Sequence, residues 1–472
     1  MSDNTITIRD IDAVLAADSK KGLLLGTNSF LRAGEKIDGS VGIYASKDIR
    51  KGDEILSIDT MGVLCLNLEK VRNSKIGQYV SELPSWAQLS LLLLYAKQLQ
   101  EQPKIDNEDD DFTFLQRTLS TLNLQPNSPL LWDDDIRTDL LQGTQALEVA
   151  EGYLSYLKAE WEMSIQAVVQ KIPKSLLPNG VEFEDLKWAF CVTRANSFAP
   201  LDTQETLTMV GLAGLFEHSR TNSASLKVKS GGSNIFGIGG NAGSKVSIVS
   251  NADFTEGELV KLNFAPSLTE SQLLVNYGVS DPNYGVEAVE LKLSITEDDR
   301  FFGDKADTLE QEGMALSQSF LMKSDEDPTE TMQAFMRLCL LKDKDAFILE
   351  PIFRDDLWKE HMTLPFSENN EEEMCNAMIQ WAQNRLAGFS SPLEENLAVR
   401  ESGRLFPGSR EEEALAIRIG EQKALKHTIS IFQRRKSSFE QIQFYQKRRL
   451  MKLNLLTEDG RSTFDPFKDN IA

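Results

Sequence analysis

Apolar positions along the chain recur with two periods, and stretches of each period alternate. Val41-Gly-Ile-Tyr-Ala45, the turn residues Asp48 to Gly52 and the run Ile55-Leu-Ser-Ile58 read as extended segments and predict a hairpin. Trp86, Leu89, Leu92, Leu93 and Tyr95 fall on one helical face. A further helix is expected after Trp132-Asp133-Asp134-Asp135, whose acids suit the positive end of a helix, and Asp106 to Asp111 reads as an acidic loop. Strand-like patterning returns from residue 186, around a Gly-rich loop from Gly231 to Gly243. From 307 the spacing is helical to the end. There Leu415, Ile419, Leu425, Ile429 and Phe432 trace one face of a long helix that opens on Glu411-Glu-Glu413. The predicted class is α+β, divided as β-rich 1–64, a helical insertion 65–185, β-rich 186–300 and helical 301–472.

The two β-rich parts echo each other. Asp48-Ile-Arg-Lys-Gly-Asp53 precedes Glu54-Ile-Leu-Ser-Ile58, and Asp253-Phe-Thr-Glu-Gly-Glu258 precedes Leu259-Val-Lys-Leu262. Each has an apolar residue after Asp, a turn ending in Gly, then an extended run. Glycine supplies the positive φ such a turn needs.

Composition narrows the classes. At 472 residues and 41% hydrophobic content the chain has material for two or three domain cores. Its longest apolar run, Leu89 to Ala96 with Ser90 inside it, is far short of the ~20 residues that cross a bilayer, so no membrane partner is expected. The polar, acidic start, Met1 to Asp12, fits neither a secretory nor a transit segment, and a cytoplasmic setting with the nucleus open to it is expected. The balance of 72 acids against 50 Lys and Arg, net −22, disfavours nucleic acid and favours a basic partner, although solubility explains it equally well. Cys65, Cys191, Cys339 and Cys375 have no CxxC spacing, and with only His218, His361 and His427 beside them no metal site is expected.

Several motifs become specific in combination. Gly42-Ile-Tyr-Ala45 stands before Asp48-Ile-Arg-Lys-Gly52, Leu186-Lys-Trp188 before Val192-Thr-Arg194, and His218 before Asp253 to Gly257; Leu273-Leu-Val-Asn-Tyr277-Gly278 comes last. In this order they resemble the SET-domain protein methyltransferases. The insertion between the halves and the C-terminal helix Arg410-Glu-Glu-Glu-Ala-Leu-Ala-Ile-Arg418 resemble the Rubisco large-subunit methyltransferase and actin-histidine methyltransferase group, with its C-terminal substrate-binding domain.

The resemblance implies methyl transfer from S-adenosylmethionine to a protein side chain, with lysine as the expected target. It implies that Gly42, Ile43 and Tyr44 border the cofactor and that Arg194 offers a donor fork to its carboxylate. Glu217 and His218 lie beside it, and Tyr277 orients the incoming nitrogen. Taken as residues alone, Arg194 is as well explained by an acidic partner, Tyr277 as a core aromatic, Gly42 as a turn glycine, and His218 as a capped histidine.

Three departures stand out. The Asp-x-x-Asn-His run of the group is here Gly214-Leu-Phe-Glu217-His218; its Tyr-Gly is here Ala265-Pro266; and Val279 replaces an aromatic after Tyr277-Gly278. They leave a binding scaffold without catalysis as an alternative. Asn196, two after Arg194, matches the histidine-methylating relative, whereas lysine-methylating ones commonly have Phe there, so Asn196 and Ala265 are the expected substrate-side positions.

Overall fold

The computed structural model describes residues 30–36, 41–59, 65–100, 115, 118–198, 207–229, 245–281, 285–350 and 357–437, with 447, 450–451, 456–459 and 461. The acidic loop 106–111 and the Gly-rich loop 231–243 lie outside them.

The strands are β1 (Leu31–Glu35), β2 (Val41–Ala45), β3 (Glu54–Asp59), β4 (Cys65–Asn67), β5 (Thr208–Val210), β6 (Glu217–His218), β7 (Ala224–Lys229), β8 (Lys245–Ser250), β9 (Lys261–Asn263), β10 (Ala288–Ser294) and β11 (Ser317–Lys323). The helices of eight or more residues are α1 (Ser85–Gln100), α2 (Asp134–Leu141), α3 (Gln145–Glu160), α4 (Phe183–Ala195), α5 (Glu270–Tyr277), α6 (Phe302–Gln311), α7 (Glu330–Cys339), α8 (Glu368–Ala387), α9 (Leu393–Glu401) and α10 (Arg410–Lys436). They form two compact units. One comprises Met1–Leu141, Ala146–Gly285 and Leu405–Ala416; the other Gln142–Gln145, Val286–Arg404 and Ile417–Ala472.

In the first unit a five-stranded sheet runs β3-β8-β7-β9-β6, with β1–β2 and β4–β5 as separate antiparallel pairs. The expected hairpin of β2 with β3 does not form. β2 pairs with β1, Gly42 opposite Gly34, while β3 pairs with the distant β8. The reason lies in the turn between them. Ile49 and Phe254 exchange main-chain hydrogen bonds at 2.8 and 2.9 Å, so the two echoing turns pair with each other. Asp48 Oδ1 accepts Glu256 N–H at 3.0 Å, and Asp253 Oδ1 accepts Lys51 N–H at 2.7 Å. Asp53 accepts Arg50 N–H and Glu258 accepts Thr255 N–H, each at 2.9 Å. Gly52 and Gly257 both have positive φ, +95° and +85°. The repeat is therefore a pair of mutually capping turns with local two-fold character.

The span 186–300 is less strand-like than its pattern suggests. Leu186 to Arg194 lie on α4, whose capping box joins Glu182 and Asp185. Tyr277 ends α5, which opens on a Thr269/Gln272 capping box and closes on left-handed Gly278. Side chains of β2, β3, β8, β9, Phe198 and Tyr277 share one core, and the insertion helices form a second around Leu89, Leu92, Trp161 and Leu186.

The second unit is helical apart from the β10–β11 hairpin, in which Ala288 pairs Lys323 and Ser294 pairs Ser317. That hairpin corrects the all-helical expectation beyond 301. Buried Arg337 on α7 is bound to buried Glu371 on α8 and donates to Met362 O at 2.7 Å. Among the described residues no helix is long and apolar enough to cross a membrane, and no group of acids, His and Cys is arranged to hold a metal.

Candidate active site

The site grows from the C-terminal ends of α4 and α5. Helical spacing on α5 puts Tyr277 in the core, 5% exposed, with Asn276 beside it. The Tyr277 ring stacks on Phe198, centroids 5.5 Å apart and 12° from parallel, and both rings meet Phe264 at 5.6 and 5.3 Å. Phe264 in turn lies 5.3 Å from the His218 ring. Four rings thus form one buried cluster, and Ala265 is buried next to it.

His218 is held neutral. Burial first, then the charge of Arg220, pulls its imidazole down to about 4. Nδ1 accepts the Phe264 main-chain N–H at 3.4 Å, so the ring proton resides on Nε2. That nitrogen is buried and makes no hydrogen bond of normal geometry, the Leu262 carbonyl opposing the downward shift least of the four influences on the ring. Glu217, its neighbour on β6, is paired with Lys261 at 3.3 Å, both side chains 38% exposed. The carboxylate that replaces the group's asparagine therefore has its charge met at the surface.

Arg194 comes from the last turn of α4. Its Nε and Nη2 donate to Asn276 Oδ1 at 3.3 and 3.1 Å. Two residues on, Asn196 is fully buried and its amide is committed. Oδ1 accepts Asn123 N–H at 2.9 Å, and Nδ2 donates to Asn123 O at 3.0 Å and Val192 O at 2.8 Å. The amide expected to meet a substrate imidazole is thus a stitch between α4 and the insertion. Gly214 makes room for it, since a Cβ there would collide with Asn196 Oδ1. Asn196 and the departure at 214 are one packing solution.

Gly42, Ile43 and Tyr44 lie on β2, which packs beside the turn at Ala213–Leu215. Ile43 is fully buried and its carbonyl accepts Val260 N–H at 2.8 Å. The Tyr44 ring covers Gly34 and Gly42: a Cβ on Gly34 would stand 2.7 Å from it, and one on Gly42 3.2 Å. Tyr44 donates its hydroxyl to Glu35 O at 3.1 Å. Gly34 accommodates the chain's own aromatic, whereas a Cβ on Gly42 would first meet Leu259 and Lys36, each at 2.9 Å. Sequence reasoning missed Phe198, Phe264, Asn276 and Tyr153. Only Asn276, inside the Leu-Leu-x-x-Tyr-Gly motif, had a local signal.

Comparison with known proteins bears on this arrangement. Residues 296–425 match the family model described as Rubisco LSMT substrate-binding. The ribulose-1,5-bisphosphate carboxylase/oxygenase large subunit N-methyltransferase of Pisum sativum is 31% identical over 424 residues, 89% of this chain and 81% of that protein. This chain belongs to the Rubisco large-subunit methyltransferase family. An Arabidopsis thaliana relative, [fructose-bisphosphate aldolase]-lysine N-methyltransferase, is 29% identical across 90% of this chain and 83% of its own length. The human actin-histidine N-methyltransferase is 23% identical over 82% of this chain and 63% of its length. A solved SET domain of LSMT bound to lysine and AdoHcy superposes with a TM-score of 0.74 at 29% identity, covering 92% of this chain and 93% of that one.

The residues present fit the cofactor of such a family. A buried imidazole N–H without a hydrogen bond of normal geometry suits an acceptor on an adenine ring, and a guanidinium held by a neutral amide suits a carboxylate.

Proposed function

We infer that this chain transfers a methyl group from S-adenosylmethionine to a lysine side chain of a protein substrate. The observation that carries this reading is the convergence of an oriented arginine, an unsatisfied buried His218 N–H and a packed tyrosine within one family frame. When bound, S-adenosylmethionine supplies an electrophilic methyl carbon on a sulfonium, open to in-line displacement by an unprotonated amine.

The chain's own residues then have separate tasks. Arg194 holds the cofactor carboxylate, and neutral His218 donates to its adenine through Nε2. Main chain of Gly42, Ile43 and Tyr44 borders it, with Glu217 kept out of the charge balance by Lys261. Tyr277 orients the amine nitrogen, while Phe198, Phe264 and Ala265 keep water from the reacting atoms. Lysine is favoured over histidine because Asn196, the residue that would recognise an imidazole, is fully buried with both amide N–H groups and its oxygen engaged by Asn123 and Val192. The solved relative bound to lysine and AdoHcy supports the same choice.

The protein substrate is recruited through the substrate-binding domain at 296–425, and a net charge of −22 favours a basic segment, met in the cytoplasm or the nucleus. The test is to incubate the full chain with methyl-labelled S-adenosylmethionine and a cell extract, then hydrolyse the labelled protein. Label in methyl-lysine is expected; label in methylhistidine would transfer the reading to histidine. Tyr277→Phe should suppress labelling by about 100-fold while leaving cofactor affinity within about twofold.

A further inference from the structure

Asn276 stands immediately before Tyr277 on α5 and is 6% exposed. Its Oδ1 accepts three hydrogen bonds: from Arg194 Nε at 3.3 Å, from Arg194 Nη2 at 3.1 Å and from the Tyr153 hydroxyl at 3.3 Å. Its Nδ2 donates to Gln272 O at 2.8 Å. Turning the amide over would set Nδ2 against three donors and Oδ1 against a carbonyl, so its orientation is fixed. Tyr153, on α3, is held in turn by Phe190, ring centroids 5.6 Å apart, and Phe190 by Trp86 at 5.3 Å.

We propose that Asn276, backed by Tyr153, is a positioning residue that aims the Arg194 guanidinium at the carboxylate of a bound S-adenosyl ligand. The choice of an amide has a physical reason. A neutral oxygen fixes two N–H groups of the fork without competing for its charge, whereas an acid there would take the same donors as an ion pair. Tyr153 supplies the third donor, so the amide oxygen is anchored from the insertion as well as from α4. The inference rests on the reading that Arg194 meets the cofactor carboxylate.

The test compares two ligands on the full chain by calorimetric titration. S-adenosylhomocysteine carries the carboxylate; 5′-methylthioadenosine keeps the nucleoside and thioether but lacks it. Asn276→Leu, close in volume but unable to accept, should raise the Kd for S-adenosylhomocysteine about tenfold, the worth of one charge-assisted hydrogen bond. The Kd for 5′-methylthioadenosine should stay within about twofold. Arg194→Leu should reproduce that split, and the double variant should be no worse than Arg194→Leu alone. Tyr153→Phe, which leaves Asn276 in place, should give a smaller loss of the same kind and decides the matter if Asn276→Leu does not fold. Equal weakening of both ligands, or none, would make Asn276 merely structural and overturn the proposal. An unchanged S-adenosylhomocysteine Kd in Arg194→Leu would instead remove the carboxylate reading of Arg194 itself.

Discussion

Gly214→Ala puts the account of the altered signature to a quantitative test. A Cβ at 214 would collide with Asn196 Oδ1 and lie 3.2 Å from the Ala195 main-chain oxygen. The main chain there is fixed within the core, so relief requires Asn196 to move. Moving it breaks the bonds at 2.9, 3.0 and 2.8 Å to Asn123 and Val192 inside a fully buried site. Overpacking costs about 1–3 kcal/mol, and a buried amide group left unsatisfied about as much again. Gly214→Ala is thus expected to destabilise the first unit by about 3 kcal/mol. Asn196→Ala removes the obstacle along with the stitch and should cost about 2 kcal/mol. Adding Gly214→Ala to it should then cost little, which gives a coupling energy near 3 kcal/mol. Urea unfolding of the four proteins, followed by tryptophan fluorescence, measures the cycle. A single Gly214→Ala variant within about 0.5 kcal/mol of the parent, the range of unconstrained surface changes, would refute the reasoning. So would simple additivity.

Glu413 is buried and hydrogen-bonded by Ser280, and burial pushes its carboxyl from 4.5 up to about 7. A raised folded value means that its contribution is full below 4.5 and is lost as pH rises to about 7, by up to about 3 kcal/mol. Glu413→Gln should flatten that slope in thermal melts, and an unchanged profile would count against a buried, raised carboxyl. His218 acts in the opposite sense, its neutral form favouring the fold above 6.5 and losing that advantage as pH falls to about 4. The mutually capping turns predict that Asp48→Ala and Asp253→Ala cost nearly equal amounts, about 1 kcal/mol each, in chemical denaturation. A neutral result at one position and a large loss at the other would break the local two-fold reading.

Much of the family frame was legible in the order of short motifs, because the glycines at 52, 257 and 278 are set by local positive φ and flank Arg194, His218 and Tyr277 in a fixed order. The pairing of those pieces was not. The runs Val41–Ala45 and Glu54–Asp59 look like hairpin partners, yet the turn between them is satisfied by Asp253, Phe254 and Glu256, far along the chain. Nothing local in the sequence encodes that exchange, although the repeated Asp and Gly positions were its trace. The helix carrying Tyr277 falls inside the span expected to be β-rich, although Thr269, Gln272 and Gly278 mark both its ends. Asn196 invited a functional reading because its hydrogen-bond partner Asn123 lies 73 residues away in the insertion. Phe198 and Phe264 were ordinary core aromatics until folding stacked them around Tyr277.

The proposed role of Arg194, His218 and Tyr277 together is to serve an S-adenosyl cofactor. It is tested most directly by titrating the full chain in a calorimeter with S-adenosylmethionine and with S-adenosylhomocysteine. Saturable one-to-one binding of both in the micromolar range is predicted, weakened by Arg194→Leu. A folded chain that takes up neither ligand would contradict that role.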